Sequence, residues 1–142
     1  MKEREWYPYI DNLKKAMAPL SGLIARANLK SLNQHERQGL LREFQFAYQA
    51  SINLLSAYFK NQGKKIGNNP KESIREAYYI DLISDHIIWT AMSESNNAIT
   101  NSNEEHITEP ALIQIIKSYV PLLEIFLVKM TGLMQGEQKG LF

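Results

Sequence analysis

The clearest helix start in the chain is Asn69-Pro70-Lys71-Glu72-Ser73-Ile74-Arg75-Glu76-Ala77-Tyr78, followed by Leu82-Ile83 and then Trp89. Asn69 suits a helix cap because its side-chain oxygen accepts bonds from free backbone amides, and Pro70 fits the first helical position. Glu72 lies where its carboxylate can bond back to the cap amide. The segment therefore predicts a short helix from Pro70 to about Ile80.

Two longer helices are predicted before this segment, because apolar residues recur at spacings of three and four. The first carries Tyr9, Leu13, Met17, Leu20, Ile24 and Ala27. The second carries Leu41, Phe44, Tyr48, Ile52, Leu55 and Phe59. Asn33 with Glu36 predicts the start of the second helix and Gly63 its end. Pro19 predicts a kink in the first helix or its division.

Two further helices are predicted after the segment. One starts near Ser84 or Asp85 and carries Trp89, and the polar residues 96–103 after it predict a loop or a frayed helix end. The last helix carries Leu112, Ile115, Ile116, Tyr119, Leu122, Leu123, Phe126 and Met130. Its start stays open between Asn103 and the pair Thr108 and Pro110, and Pro121 predicts a bend within it.

These patterns predict an all-α fold: an up-and-down four-helix bundle with an extra short helix, in a single domain spanning residues 1–142. A length of 142 residues suits one domain, and the net charge of +1 gives no electrostatic reason to expect nucleic acid or an anionic membrane as a partner. No cysteine is present, which removes thiol catalysis and cysteine metal sites. We find no secretory signal and no uncharged apolar run near the roughly 20 residues that span a bilayer. We therefore expect a cytoplasmic protein.

Four consecutive apolar residues, Ile125-Phe126-Leu127-Val128, bear on assembly. On a helix they point in every direction, whereas a surface helix of a monomer normally keeps one of them polar. We expect a second buried face and hence a homodimer or an obligate partner. The alternative is that Pro121 rotates this segment into the centre of the bundle.

Sites for metals and cofactors are not indicated. The three histidines, His35, His86 and His106, form no His-x-x-x-His or Glu-x-x-His pair, and no phosphate loop or nucleophile elbow occurs. We expect no metal and no cofactor. Lys64-Lys65 could contact phosphate, although such pairs are usually solvated. Tyr78-Tyr79 could stack on a base, but one tyrosine should face the core because adjacent helical residues diverge by about 100°.

The pattern Pro70-x-Glu72-x-Ile74-Arg75-Glu76-Ala77-aromatic, followed by Leu82-Ile83 and Trp89, resembles the nucleotidyltransferase substrate-binding proteins. These are small helical partner subunits of two-component nucleotidyltransferases, within the wider HEPN group. The similarity is good over residues 44–96 and thin elsewhere. It implies a HEPN-like helical bundle and a separate, small nucleotidyltransferase subunit as partner.

The residues 94–102 are where the resemblance is most informative. Active HEPN relatives carry Arg-Asn there, then three residues, His, one residue and Tyr, and the arginine and histidine are thought to act together on RNA. In toxin–antitoxin pairs the tyrosine is a proposed target of nucleotidylation. Carried over, these positions fall on Ser95, Asn96, Thr100 and Ser102, so only the asparagine is kept. Serine holds no permanent charge and threonine does not titrate near neutral pH, which argues against a ribonuclease.

The second helix also departs from its relatives. Where they often carry Arg-Phe-Glu and then Glu-Leu-x-Trp, this chain has Glu43-Phe44-Gln45 and then residues 49–52, Gln-Ala-Ser-Ile. Gln45 and Gln49 are four residues apart and share a helix face. They could line a polar substrate or partner groove with Glu94, Ser95, Asn96 and Thr100, or both amides could simply be solvated.

The leading hypothesis is a non-catalytic helical subunit that binds substrate and presents it to a small nucleotidyltransferase chain. Two alternatives remain: an orphan dimeric helical scaffold whose site has decayed, and a HEPN ribonuclease-like toxin. Arg75 and Glu76 match the family, but we interpret them as structural ion-pair residues, and we expect Trp89 to be a core residue.

Overall fold

The computed structural model describes residues 4–26, 32–66, 69–101 and 109–140, and within them every regular element is helical. Four of the helices are α1 (Tyr7–Arg26), α2 (Gln34–Asn61), α3 (Pro70–Tyr79) and α4 (His86–Asn101). The last, α5 (Glu109–Gln138), contains a π-helical turn over Ile115–Tyr119. The all-α prediction is confirmed. The up-and-down topology and the single domain over residues 1–142 stay predictions.

Helix α2 supplies the centre of the core. Its predicted apolar stripe is buried, with Phe44 and Leu55 fully inaccessible, and the helix packs against each of the other four helices. Both of its predicted ends are confirmed. Asn33 and Glu36 form a reciprocal capping box, and Gly63 follows the helix with a φ of 75°, which favours glycine.

The start of α1 is joined to the end of α5. The Tyr7 hydroxyl donates a 2.8 Å hydrogen bond to Glu137 Oε1, and Arg4 Nε lies 3.0 Å from the same oxygen. Burial and the neighbouring carboxylate raise the pKa of Tyr7. Trp6 packs edge-on against Tyr58 of α2, with 5.0 Å between ring centroids. These contacts anchor α1 and the end of α5 to the bundle.

Neither proline divides its helix. Pro19 lies inside an uninterrupted α1, so the predicted division is wrong. Because proline has no N–H group, the Lys15 carbonyl loses its usual helical hydrogen bond. Both residues are exposed. Pro121 also continues α5, directly after the π-helical turn. The Val120 amide bonds to the Ile115 carbonyl, five residues back, and this wider turn makes room for the proline ring. The structure shows a change of helical type next to Pro121, and the bend itself stays a prediction.

The polar end of α4 is helical as far as Asn101, so the loop or frayed end predicted from Asn96 is wrong over residues 96–101. The start of α4 is confirmed, since Asp85 Oδ1 accepts a 3.1 Å bond from the Ile88 amide. Asn103 and Thr108, the two predicted starts of the last helix, lie outside the described residues. So do Ala27, Ser102 and His106.

A tight turn joins α3 to α4. The Leu82 amide bonds to the Ala77 carbonyl at 2.8 Å and the Asp81 amide bonds to the Tyr78 carbonyl at 3.2 Å, the two bonds of a Schellman motif. Asp81 takes the left-handed conformation that the motif needs, with a φ of 61°. The turn directs Leu82 and Ile83 into the core.

The prediction that one of Tyr78 and Tyr79 faces the core is wrong. Their side chains are 41% and 71% exposed. The core-facing positions of α3 are filled by Ser73, Ile74 and Ala77, and the turn then brings in Leu82 and Ile83 instead of a tyrosine. Both aromatic rings are thus left at the surface of α3.

The four-residue apolar run in α5 is only partly buried. Phe126 is 1% exposed and packs edge-on against Trp89, with 5.4 Å between ring centroids, so Trp89 is a core residue as predicted. Ile125 and Val128 are 61% and 73% exposed. The alternative in which the bundle buries the whole run is therefore wrong, and these two side chains remain for a second surface to cover.

Among the described helices, α5 is long and apolar enough to cross a membrane by length and composition. One such helix is weak evidence, because the core helices of soluble proteins pass the same test. The apolar face of α5 forms part of the core through Leu112, Leu123 and Met130. That the protein is cytoplasmic and not associated with a membrane stays a prediction.

Candidate functional site

The residues predicted to form a polar groove lie on two neighbouring helices. Gln45 and Gln49 belong to α2, and Glu94, Ser95, Asn96 and Thr100 belong to α4. The two helices pack against each other, and the long α2 presents its middle to the second half of α4. Whether these residues bind anything stays a prediction, but their positions are now defined.

Gln45, Asn96 and Thr100 are brought together. Gln45 Nε2 donates a 3.0 Å hydrogen bond to Thr100 Oγ1, and Thr100 Oγ1 donates a 2.9 Å bond to the Asn96 carbonyl. A threonine hydroxyl that bonds back to the carbonyl four residues earlier satisfies its own donor within the helix. The link from α2 to this hydroxyl helps to explain why α4 stays helical through its polar end.

The Ser95 side chain is hydrogen-bonded to a residue of α5. Its hydroxyl lies 2.8 Å from the hydroxyl of Tyr119. Tyr119 is 1% exposed, and its ring stacks on Phe44 with 5.6 Å between centroids and an angle of 22°. The π-helical turn of α5 carries Tyr119, so this turn positions the phenol towards α4.

A second tyrosine hydroxyl lies deeper between α2 and α4. Tyr48 donates a 2.7 Å hydrogen bond to Ser93 Oγ, and both residues are buried. Burial raises the pKa of Tyr48, and the bond to Ser93 opposes this in part. Burial disfavours the charged phenolate, so Tyr48 keeps its proton and acts as a donor.

We refer to these residues as the α2–α4 polar cluster: Gln45, Tyr48, Ser93, Ser95, Asn96, Thr100 and Tyr119. Gln49 does not join it, because its amide donates a 2.9 Å bond to Asn53 on the same helix. Glu94 is exposed on α4, and none of the hydrogen bonds described above involves it.

The sequence analysis did not predict three members of the cluster: Tyr48, Ser93 and Tyr119. The sequence did place both tyrosines on apolar helix stripes, and a buried tyrosine hydroxyl usually finds a hydrogen-bond partner. That rule could have directed a search for hydroxyl groups on facing helices. It could not have paired Tyr48 with Ser93 or Tyr119 with Ser95, since the pairing depends on the helix packing.

The chemistry available to the cluster is hydrogen bonding by hydroxyl and amide groups. It contains no cationic side chain and no imidazole. Among the described residues no group of three or more histidine, cysteine, aspartate or glutamate side chains is arranged to hold a metal ion. The hydroxyl and amide groups of the α2–α4 polar cluster can hold and orient a polar group by hydrogen bonding.

Comparison with solved structures supports the fold. A crystal structure of a protein from Thermus thermophilus superimposes with a TM-score of 0.65 and 21% sequence identity, over 86% of this chain and 98% of the other. At that identity the similarity establishes the fold alone. No curated protein matches significantly.

The family model described as "Nucleotidyltransferase substrate binding protein like" matches residues 9–132. That range begins in α1 and ends within α5, so it includes all seven residues of the α2–α4 polar cluster. The resemblance seen in the Pro70–Trp89 region therefore extends over most of the chain, and the protein belongs to the nucleotidyltransferase substrate-binding protein family.

Proposed function

We propose that this chain is a non-catalytic helical subunit that binds substrate and presents it to a separate, small nucleotidyltransferase chain. Family membership supports the proposal, together with one observation at the α2–α4 polar cluster. Ser95 and Thr100 stand where active HEPN relatives carry arginine and histidine, and both hydroxyls are engaged in hydrogen bonds within the chain. Neither group supplies a charge or a mobile proton near neutral pH.

In this proposal the two chains divide the work. The partner holds the metal and the nucleotide and carries out the transfer, and this chain positions the group that is modified. The amides of Gln45 and Asn96 suit this task, because an amide offers two donors and an acceptor oxygen with two lone pairs. One bond from Gln45 to Thr100 leaves further hydrogen-bonding capacity on the same side chain.

We also propose that the subunit is a cytoplasmic homodimer of the HEPN type. The exposed side chains of Ile125 and Val128 support a second buried face on α5. Covering an aliphatic side chain of this size stabilises the assembly by about 1.5–3 kcal/mol at full burial. Two such residues on each protomer would contribute in a symmetric contact, in which the same patch serves both copies.

Complex formation with a small nucleotidyltransferase tests the proposal. The chain is co-expressed with such an enzyme encoded by an adjacent gene, and the purified material is analysed by size-exclusion chromatography with light scattering. We expect a stable complex, and we expect no RNA cleavage by the isolated chain.

Two results would contradict the proposal and favour the alternatives. A dimer that binds neither a nucleotide nor any adjacent nucleotidyltransferase would favour the orphan scaffold. RNA cleavage by the isolated chain would favour the ribonuclease-like toxin. Substituting Ser95→Ala should leave complex formation intact, because Ser95 bonds within the chain, and this variant checks that binding does not depend on the internal hydrogen bonds of the cluster.

A further inference from the structure

We propose that the cleft between α3 and α4 binds a nucleoside phosphate, with the phosphate on two basic side chains and the base on exposed aromatic rings. This site is separate from the α2–α4 polar cluster, and the proposal does not depend on the proposed function. The cleft has a volume of about 350 Å³, within the range of small-molecule sites. It is lined by Lys71, Ile74, Arg75, Tyr78, Tyr79, His86 and Thr90.

The cleft is formed by two helix faces that meet. On α3, Lys71, Arg75 and Tyr79 follow one another at intervals of four residues and therefore share a face. On α4, His86 and Thr90 have the same spacing. The floor between them is Ile74, which is 2% exposed. The cleft thus has an apolar base and polar or aromatic walls, as small-molecule sites usually do.

The two basic residues of the cleft are available for an anion. Within residues 4–26, 32–66, 69–101 and 109–140, neither the Lys71 ammonium nor the Arg75 guanidinium has a hydrogen bond or an ion pair, and both side chains are exposed. The interpretation of Arg75 as a structural ion-pair residue is therefore wrong. A guanidinium matches the geometry of phosphate oxygens with paired donors, and a lysine acts on phosphate as a point charge.

Two carboxylates near the cleft are engaged by other groups. Glu76 forms an ion pair with Lys64, one of the two lysines that could have contacted phosphate. Asp85 caps α4 through the Ile88 amide. Glu72 is exposed and precedes Arg75 by three residues, but it does not line the cleft. Among the described residues no carboxylate lines the cleft, so the charge of the cleft favours a negative ligand.

The aromatic side of the cleft offers flat surfaces. The rings of Tyr78 and His86 lie 4.5 Å apart at 41°, and the Tyr79 ring lies 6.5 Å from that of Tyr78. Tyr79 is 71% exposed, and no core packing explains its ring. Stacking on a nucleobase is an efficient use of an exposed ring, since every base has an apolar face.

The spacing of these residues along α3 suits a ligand that carries both a phosphate and a nucleobase. From Arg75 to Tyr79 the helix rises about 6 Å, and Lys71 lies one turn further from the ring than Arg75. One nucleotide can therefore place its base on Tyr79 and its α-phosphate near Arg75. Additional phosphates would extend towards Lys71.

Isothermal titration calorimetry with AMP and ATP tests this assignment, with adenosine and pyrophosphate as separate probes. We expect ATP to bind more tightly than AMP, and both to bind more tightly than adenosine or pyrophosphate. Lys71→Ala with Arg75→Ala should weaken ATP binding by about tenfold or more, equivalent to about 1.4 kcal/mol. The matched control is Lys14→Ala with Lys15→Ala, which removes the same charge from an exposed part of α1 and should change nothing.

Tyr79→Ala separates stacking from charge. It should weaken AMP, ATP and adenosine binding but leave pyrophosphate binding unchanged, and circular dichroism checks that each variant folds. The proposal is overturned by any of three results: no binding of AMP or ATP at a Kd below about 1 mM, equal loss in the basic variant and its control, or equal affinity for ATP and pyrophosphate together with no effect of Tyr79→Ala.

Discussion

At the scale of single residues, Ser95 and Thr100 distinguish the candidate site from that of the active HEPN proteins that the sequence resembles. Each carries a hydroxyl in place of a charged or titrating group, and each hydroxyl is bonded within the protein, Ser95 to Tyr119 and Thr100 to the Asn96 carbonyl. These two hydroxyls are therefore part of the packing of α2, α4 and α5. Introducing an arginine or a histidine at either position would break these bonds.

Trp89 is a large core residue whose removal should strongly lower stability. It is 1% exposed and contacts the ring of Phe126. Trp89→Ala should lower the free energy of unfolding by about 3–5 kcal/mol, because it leaves a cavity in the core. Urea denaturation measures the change, with Ile87→Ala as the control, since Ile87 lies on the same helix and is 71% exposed. Equal stability of both variants would place Trp89 outside the structural core.

The turn between α3 and α4 depends on one residue with positive φ. Asp81 occupies the position of a Schellman motif that glycine usually fills. Asp81→Gly should raise the free energy of unfolding by about 0.5–1 kcal/mol, because the relief of backbone strain exceeds the added freedom of the unfolded chain. Thermal and urea denaturation measure the effect.

Asp81→Ala is the matched control for this turn, since it removes the carboxylate but keeps a Cβ atom at positive φ. It should not stabilise the protein. If alanine stabilised as much as glycine, the effect would come from the charge of Asp81 and the conformational argument would fail.

At the scale of helices, the sequence was sufficient where the signal is local. The capping pair Asn33 and Glu36, the stop at Gly63 and the start at Pro70 all depend on neighbours within four residues, and all are observed. The loop or frayed end predicted for residues 96–101 failed because of a distant contact. Residues 96–101 are polar and weakly periodic, and Gln45, from another helix, bonds to the last turn of α4.

In the candidate site, too, local patterns place residues on a helix face, whereas contacts between helices decide their partners. Helix periodicity placed Gln45 and Gln49 on one face, but only the packing of α4 shows that Gln45 bonds to Thr100 while Gln49 bonds to Asn53. Likewise, spacing alone predicted that one of Tyr78 and Tyr79 would be buried. The Schellman turn fills that part of the core with Leu82 instead, which no local pattern indicates.

At the scale of the whole molecule, the exposed side chains of α5 predict assembly. Ile125→Glu with Val128→Glu should convert the proposed homodimer to a monomer, because charged groups would have to be desolvated in the contact. Light scattering measures the mass. Phe46→Glu is the control, since it places a glutamate at an exposed apolar position of α2 and should leave the dimer intact. A wild-type chain that is already monomeric would contradict the proposed homodimer.

The central claim is that this chain positions a substrate and leaves the chemistry to a partner. The most direct test is nucleotide transfer, measured with a labelled nucleoside triphosphate in three samples. They contain this chain alone, a small nucleotidyltransferase encoded by an adjacent gene alone, and the two proteins together. We predict no turnover by this chain alone and faster transfer by the pair than by the enzyme alone. Turnover by the isolated chain that is lost on substituting Asn96→Ala would contradict the account.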